Sequence, residues 1–221
     1  VEKMLNLPER TYLGRKIPKN KFYSKINADS KLESKFIKEV DNIIWKYKLS
    51  EETTNLESTT EVEEIQIFEI SLKTQDLSKE VLENIDRVIP YPILFILRYE
   101  DKIKLSIGYK ERNKTDENKM VIHSYYESNW LKEDELKIDI LLGLTLKDVY
   151  DNIIRQLIPI ESSRDDNIED VIQLNENIEK LKKEIDRLEK KRNSEKQFNK
   201  KVDINRELRM KVKELDSLIN R

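Results

Sequence analysis

The chain has 221 residues, enough for one or two domains with a real core. Charged residues make up 39% and hydrophobic ones 37%, with a formal net charge of −2, so the whole molecule is no generic polyanion binder and any such role must rest on local charge. No cysteine and one histidine, His123, exclude disulfides, thiol catalysis, cysteine-ligated zinc and a multi-histidine centre.

Residues 1–28 read as an irregular, basic arm. Pro8, Gly14 and Pro18 interrupt it, and Arg15, Lys16, Lys19 and Lys21 interleave with Tyr12, Phe22 and Tyr23. Ser30 and Glu33 have the spacing of a capping box. Leu32, Phe36, Val40, Ile43, Ile44 and Tyr47 then recur at helical spacing, which predicts a helix to about Leu49. Residues 50–61 are polar and acidic, a loop. Glu64–Lys73 is rich in β-branched residues with apolar side chains on both faces, the pattern of an interior strand.

Ser78 opens a short helix through Val81, Leu82, Ile85 and Val88, which Pro90 and Pro92 end. Ile93–Tyr99 and Ile103–Tyr109 predict a β-hairpin. In its second strand Lys104, Ser106, Gly108 and Lys110 alternate with apolar residues, the pattern of one solvated face. A polar loop, 113–119, leads to a strand over Met120–Glu127. Thr145 caps a last core helix carrying Leu146, Val149, Ile153 and Leu157.

Residues 168–221 contain no glycine or proline. Val171, Leu174, Ile178, Leu181, Ile185 and Leu188 form a coiled-coil stripe. Asn193-Ser194 interrupts it, Ser194 and Gln197 suggest a second capping box, and a second stripe runs Phe198, Val202, Leu208, Val212, Leu215 and Ile219. Two arms of about 35 Å folded into an antiparallel hairpin are expected; one unbroken helix pairing with another chain is the alternative. The expected architecture is therefore α+β: a basic arm over 1–28, a body over 29–160 with a largely antiparallel sheet and packed helices, and coiled-coil helices over 161–221.

The residues offer three candidate sites. Between Arg187 and Lys213 eleven Lys or Arg stand against four acidic residues. Of these, Lys190, Lys191, Arg192, Lys196, Lys200 and Lys201 cluster at the turn and suit a phosphate backbone or an acidic partner, while a solvated coiled-coil surface is the plain reading. Arg15, Lys16, Lys19 and Lys21 in the arm suit nucleic acid with stacked aromatics, or simple docking of Phe22 and Tyr23 into the body. Glu69 and Lys73 share a strand face, a spacing near that of metal-dependent nucleases, but no upstream Asp is placed to complete the set; a solvated or salt-bridged strand face is the plain reading. Trp45 sits at a predicted helix end and reads as core, and His123 as structural. The three glycines cannot make a phosphate-cradling loop, so no ATPase or dinucleotide site is expected.

Ile17–Tyr23, Ile44–Leu49 with Thr54–Leu56, Glu64–Lys73, Ile85–Phe95 and Glu195–Leu208, taken in order, resemble the domain-of-unknown-function family 4391 over nearly the whole chain. No single motif is diagnostic; their order is. The family brings no defined catalytic residues. Its genes often stand beside DEAD/DEAH-type helicases and DNA methyltransferases in prokaryotic restriction and defence loci. The resemblance implies an accessory component of a DNA-processing complex, with a helicase or methyltransferase as protein partner and DNA as a further one.

The expectation is thus a non-catalytic accessory subunit, with a metal-dependent nuclease around Glu69 and Lys73 as the alternative. No cofactor or metal is expected. With no apolar run near the roughly 20 residues that span a bilayer and no signal-peptide core, the chain is expected to be cytoplasmic and free of membrane, with the coiled coil open to homo-oligomer formation.

Overall fold

A computed structural model describes residues 5–25, 29–112 and 120–220. The polar loop expected at 113–119 lies outside the described residues. The elements, in order, are β1 (Tyr12–Lys16), α1 (Asn20–Lys25), α2 (Ser30–Glu39), β2 (Val40–Leu49), α3 (Glu51–Thr54), β3 (Ile65–Leu72), α4 (Lys79–Val88), β4 (Ile93–Tyr99), β5 (Lys102–Arg112), β6 (Met120–Glu127), β7 (Leu131–Lys132), α5 (Leu146–Leu157), α6 (Ile168–Ser194) and α7 (Phe198–Ile219). The chain divides into two compact units, one through Leu157 and one from Ile158 on.

The first unit is built on a seven-stranded sheet in the order β1-β2-β3-β4-β5-β6, with β7 beside the start of β5. Only β3 and β4 are parallel, and α4 makes the crossover that a parallel pair requires. β3 is the interior strand its sequence predicts, buried at seven of its eight positions. The alternation of side chains sends Phe68 and Ile70 to one face, where Phe22 of α1, Phe36 of α2 and Val81, Leu82 and Ile85 of α4 meet them. On the opposite face Tyr150 of α5 stacks on Tyr109 of β5, with ring centroids 6.1 Å apart. Both faces of the sheet are therefore covered.

Several expectations change. The helix predicted from Ser30 to Leu49 ends at Glu39, and Val40–Leu49 is a strand between β1 and β3. Register shifts at Val40/Asn42 and Trp45/Tyr47 break the two-residue alternation. Each bulge inserts a residue, so Val40, Ile43 and Tyr47 become buried at spacings of three and four, which imitates a helix. The cap of α2 is Asp29, whose side chain accepts the Leu32 N–H at 2.8 Å, one residue before the expected Ser30.

The arm is the second change. Its described residues form β1 and α1, and Phe22 is buried in the core, so docking of its aromatics outweighs irregularity. Gly14, at φ +59°, sits in the irregular stretch between the Tyr12 and Arg15 pairings, a conformation glycine adopts without steric cost.

The supposedly solvated face of β5 is also covered. Ser106 and Lys110 are buried. Lys110 Nζ donates to the carbonyls of Asp86, Ile89 and Tyr91 at 2.8–2.9 Å and lies 3.0 Å from Asp86 Oδ1. A lysine thereby closes the C-terminal end of α4, where carbonyls lack helical partners and the macrodipole is negative. The Tyr125 hydroxyl donates to the other Asp86 oxygen. Burial pushes the Asp86 carboxyl up against the opposing pull of Lys110 and the Tyr125 hydrogen bond.

In the second unit α6 and α7 pack together as two long helices joined by a short turn, the hairpin expected from the broken stripe. Asn167 caps α6 by accepting the Glu169 N–H at 2.7 Å. The predicted Ser194–Gln197 box does not form. Ser194 Oγ donates to the Lys191 carbonyl, and Gln197 makes no side-chain cap.

Candidate functional site

The hairpin seam is narrower than the apolar residues of α7. Leu188 of α6 meets Ile204 and Leu208 of α7, with Ile185 packed against them. Four residues of the expected second stripe face outward instead: Phe198 is 77% exposed, Ile219 56%, Val202 48% and Val212 38%. The inward positions of α7 are Ile204, Leu208, Lys211, Leu215 and Leu218, a four-three-four-three spacing that admits a lysine. Lys211 Nζ is held by Glu184 of the facing helix at 3.2 Å and by Glu214 at 3.3 Å.

Around the turn Lys190, Lys191, Lys196, Lys200 and Lys201 are exposed and Arg192 is half-buried. Lys190 pairs with Asp186 one helical turn back at 2.6 Å, with both side chains mostly in solvent, and Arg192 donates to Asn193 Oδ1. Such exposed pairs are weak and exchange readily with other anions. Phe198, flanked in sequence by Lys196 and Lys200, is an uncovered aromatic ring among these cations.

Arg15, Lys16, Lys19 and Lys21 of the arm are not one patch. Arg15 and Lys16 are exposed on β1, an edge strand. Lys19 Nζ donates to the Val40 carbonyl at 2.7 Å, and Lys73 Nζ to the Ile37 carbonyl at 2.8 Å. Both lysines thus serve the C-terminal end of α2. Burial first, and then the nearby Lys73 charge, lower the Lys19 pKa. Lys21 turns up elsewhere, at the mouth of a cavity that Trp45 also lines.

Glu69 and Lys73 do not converge. Glu69 Oε2 accepts from Lys46 Nζ at 2.7 Å and from the Arg98 guanidinium at 3.2 Å, and Arg98 also binds Glu133 at 3.0 Å. Burial would raise the Glu69 carboxyl, but the hydrogen bond and charge of Lys46, with Arg98, hold it below the ordinary carboxylate range. Among the described residues no group of three or more His, Asp or Glu side chains is placed to hold a metal ion.

Trp45 is in mid-strand rather than at a helix end. Its ring stacks on Phe68 and its Nε1 donates to Gln66 Oε1 at 2.6 Å. Its lysine neighbours bind carboxylates on β3 and the segment before it: Lys46 pairs with Glu69, and Lys48 with Glu64 at 2.6 Å. His123 Nε2 lies 3.0 Å from Glu111 Oε1 and its ring 5.8 Å from that of Tyr109, a pairing within the sheet. The residues that sequence reasoning missed are Asp86, Lys110 and the cavity wall. The sequence carries no local signal for the Lys110–Asp86 pair, whose members are 24 residues apart.

Among the described residues no helix is long and apolar enough to cross a membrane. Comparison with curated proteins and with solved structures gives no match. A family model described as Domain of unknown function (DUF4391) matches residues 5–215. That span takes in the sheet, its covering helices and nearly all of the hairpin, and the chain therefore belongs to the DUF4391 family.

Proposed function

We propose that the chain is a non-catalytic accessory subunit of a prokaryotic DNA-processing or restriction/defence complex, and that the α6–α7 hairpin is its gripping element. One observation carries this reading: a hairpin with a filled seam leaves Phe198 uncovered among exposed lysines at its turn. Cations on a rigid helical arm displace counterions from phosphates, and an open aromatic ring gives a base a surface to stack on.

Val202, Val212 and Ile219 lie on the same face of α7 as Phe198, interleaved with Asn205, Arg209 and Asp216, a mixed apolar and polar face suited to a protein partner of the helicase or methyltransferase class that the family setting implies. The nuclease alternative gains no support, because Glu69 is spent on Lys46 and Arg98 and Lys73 on a backbone carbonyl.

The test is recovery of partners by the tagged full chain from its native host, beside a variant with Lys190, Lys191, Arg192, Lys196, Lys200 and Lys201 changed to Glu. A helicase or methyltransferase retained by the wild type and lost by the variant is the expected result. Equal recovery by both would place the contact away from the tip and contradict the proposal.

A further inference from the structure

We infer that the cavity under α1 is a binding site for a small apolar anion: a flat aromatic or aliphatic body with one acidic group. The cavity has a volume of about 510 Å³ and lies between α1, the middle of β2, the start of β3 and the turn that leads into β4. That size is within the range of small-molecule sites, and a cavity of about 150 Å³ already holds benzene. A bicyclic or longer body therefore fits, whereas one partner side chain would leave much of the space empty.

The wall selects an apolar body. Ile17, Phe22, Trp45, Phe68 and Pro90 line it, and the Trp45 and Phe68 rings lie 6.2 Å apart at 7° to each other, which makes one side flat. Of the polar side chains of the wall, Ser24 donates to the Asn20 carbonyl, and Trp45, Gln66 and Glu64 form a chain. Trp45 Nε1 donates to Gln66 Oε1, Gln66 Nε2 donates to Glu64 Oε2 at 2.9 Å, and Glu64 Oε1 is bound to Lys48. A ligand body with a hydrogen-bonding edge, such as a nucleobase, would find those groups occupied.

Charge selects the acidic group. Lys21 and Lys25 stand four residues apart on α1, on one side of the helix, and both line the cavity while remaining exposed. Lys25 Nζ has only a long contact, 3.4 Å, to the Val88 carbonyl. The single carboxylate of the wall, Glu64, is neutralised by Lys48. The charge left at the mouth is positive. This site is independent of the hairpin and of what the hairpin grips.

The experiment uses the full chain and two dyes of like shape, anionic 1-anilinonaphthalene-8-sulfonate and uncharged N-phenyl-1-naphthylamine. The chain has two tryptophans, Trp45 and Trp130, so Trp130→Phe leaves Trp45 as sole energy donor. We expect saturable, one-site energy transfer from Trp45 to the anionic dye. In the same background Lys21→Glu with Lys25→Glu should weaken the anionic dye about tenfold or more and leave the neutral dye within about twofold. Lys190→Glu with Lys191→Glu should change neither. Circular dichroism checks that the variants keep the fold: the four lysines are exposed, and Trp130, half-buried against the core, is exchanged for another aromatic ring. Absence of saturable transfer, equal weakening of both dyes, indifference of the anionic dye to Lys21 and Lys25, or an equal effect of the hairpin pair would overturn the site.

Discussion

Lys110 Nζ and Asp86 Oδ1 face each other at 3.0 Å with both side chains about 1% exposed, so β5 and the last turn of α4 are joined by a fully buried ion pair. The same ammonium holds three backbone carbonyls between Asp86 and Tyr91, and so sets the turn through which the chain reaches β4. Lys110→Met strands the Asp86 carboxylate and leaves those carbonyls without their donor. A loss of about 3–5 kcal/mol is expected, because removal of one partner of a buried pair costs more than removal of both. Urea unfolding measures it, and Lys110→Met with Asp86→Leu should be less destabilised than Lys110→Met alone.

Glu69 gives the fold an acid-sensitive link. Its carboxyl titrates below the ordinary range in the folded chain because Lys46 and Arg98 outweigh the cost of burial. A depressed folded-state pKa means that the folded state binds fewer protons than the unfolded one. The stabilisation is then complete above about pH 5, past the ordinary glutamate range, and is lost as the pH falls through the folded value. Urea midpoints between about pH 7 and 3 should therefore fall more steeply in the wild type than in Glu69→Gln. Parallel curves would mean that the pair contributes nothing to the pH dependence.

The inward face of α7 can be checked by two aspartates four residues apart. Leu208 is 6% exposed in the seam, and Val212 is 38% exposed outside it. Leu208→Asp forces a carboxylate into the seam at a cost on the order of several kcal/mol and should melt the hairpin, seen as lost helical circular dichroism with the sheet unit still folded. Val212→Asp should leave the helical signal unchanged. Equal loss in both would restore the phase first expected from the sequence.

Much of the fold was legible because the relevant signals are local. The β-branched run of β3 with apolar residues on both faces, the prolines at 90 and 92, the Met120–Glu127 strand and the Thr145 cap each announce an element within a few residues. β2 was illegible because its two bulges replace a period of two with spacings of three and four. The phase of α7 was illegible because it carries more apolar residues than its seam takes, and because Lys211 occupies an inward position through Glu184, a residue 27 places away in sequence. The site residues fared alike. A paired Glu69 was within the plain reading of the sequence, but its partners were not, because only strand pairing brings Lys46 from β2 and Arg98 from β4 to it. Lys21 and Trp45 lie far apart in sequence, and only the packing of α1 on the sheet makes them neighbours of one cavity.

The gripping role of the hairpin is tested most directly by a salt titration of DNA binding, with the wild type beside the protein in which Lys190, Lys191, Arg192, Lys196, Lys200 and Lys201 are Glu. Five of these side chains are exposed, whereas Arg192 continues the α6 stripe one turn past Leu188 and is half-buried, so circular dichroism is used to check that the hairpin keeps its fold in the variant. The account predicts wild-type affinity that falls steeply with salt, at a slope of about −0.7 to −0.9 per phosphate contacted, and loss of that binding in the variant for all sequences alike, since backbone contacts carry no base information. Equal binding by both proteins, or no binding by either at about 50 mM salt, the low end at which phosphate contacts are strong, would contradict it.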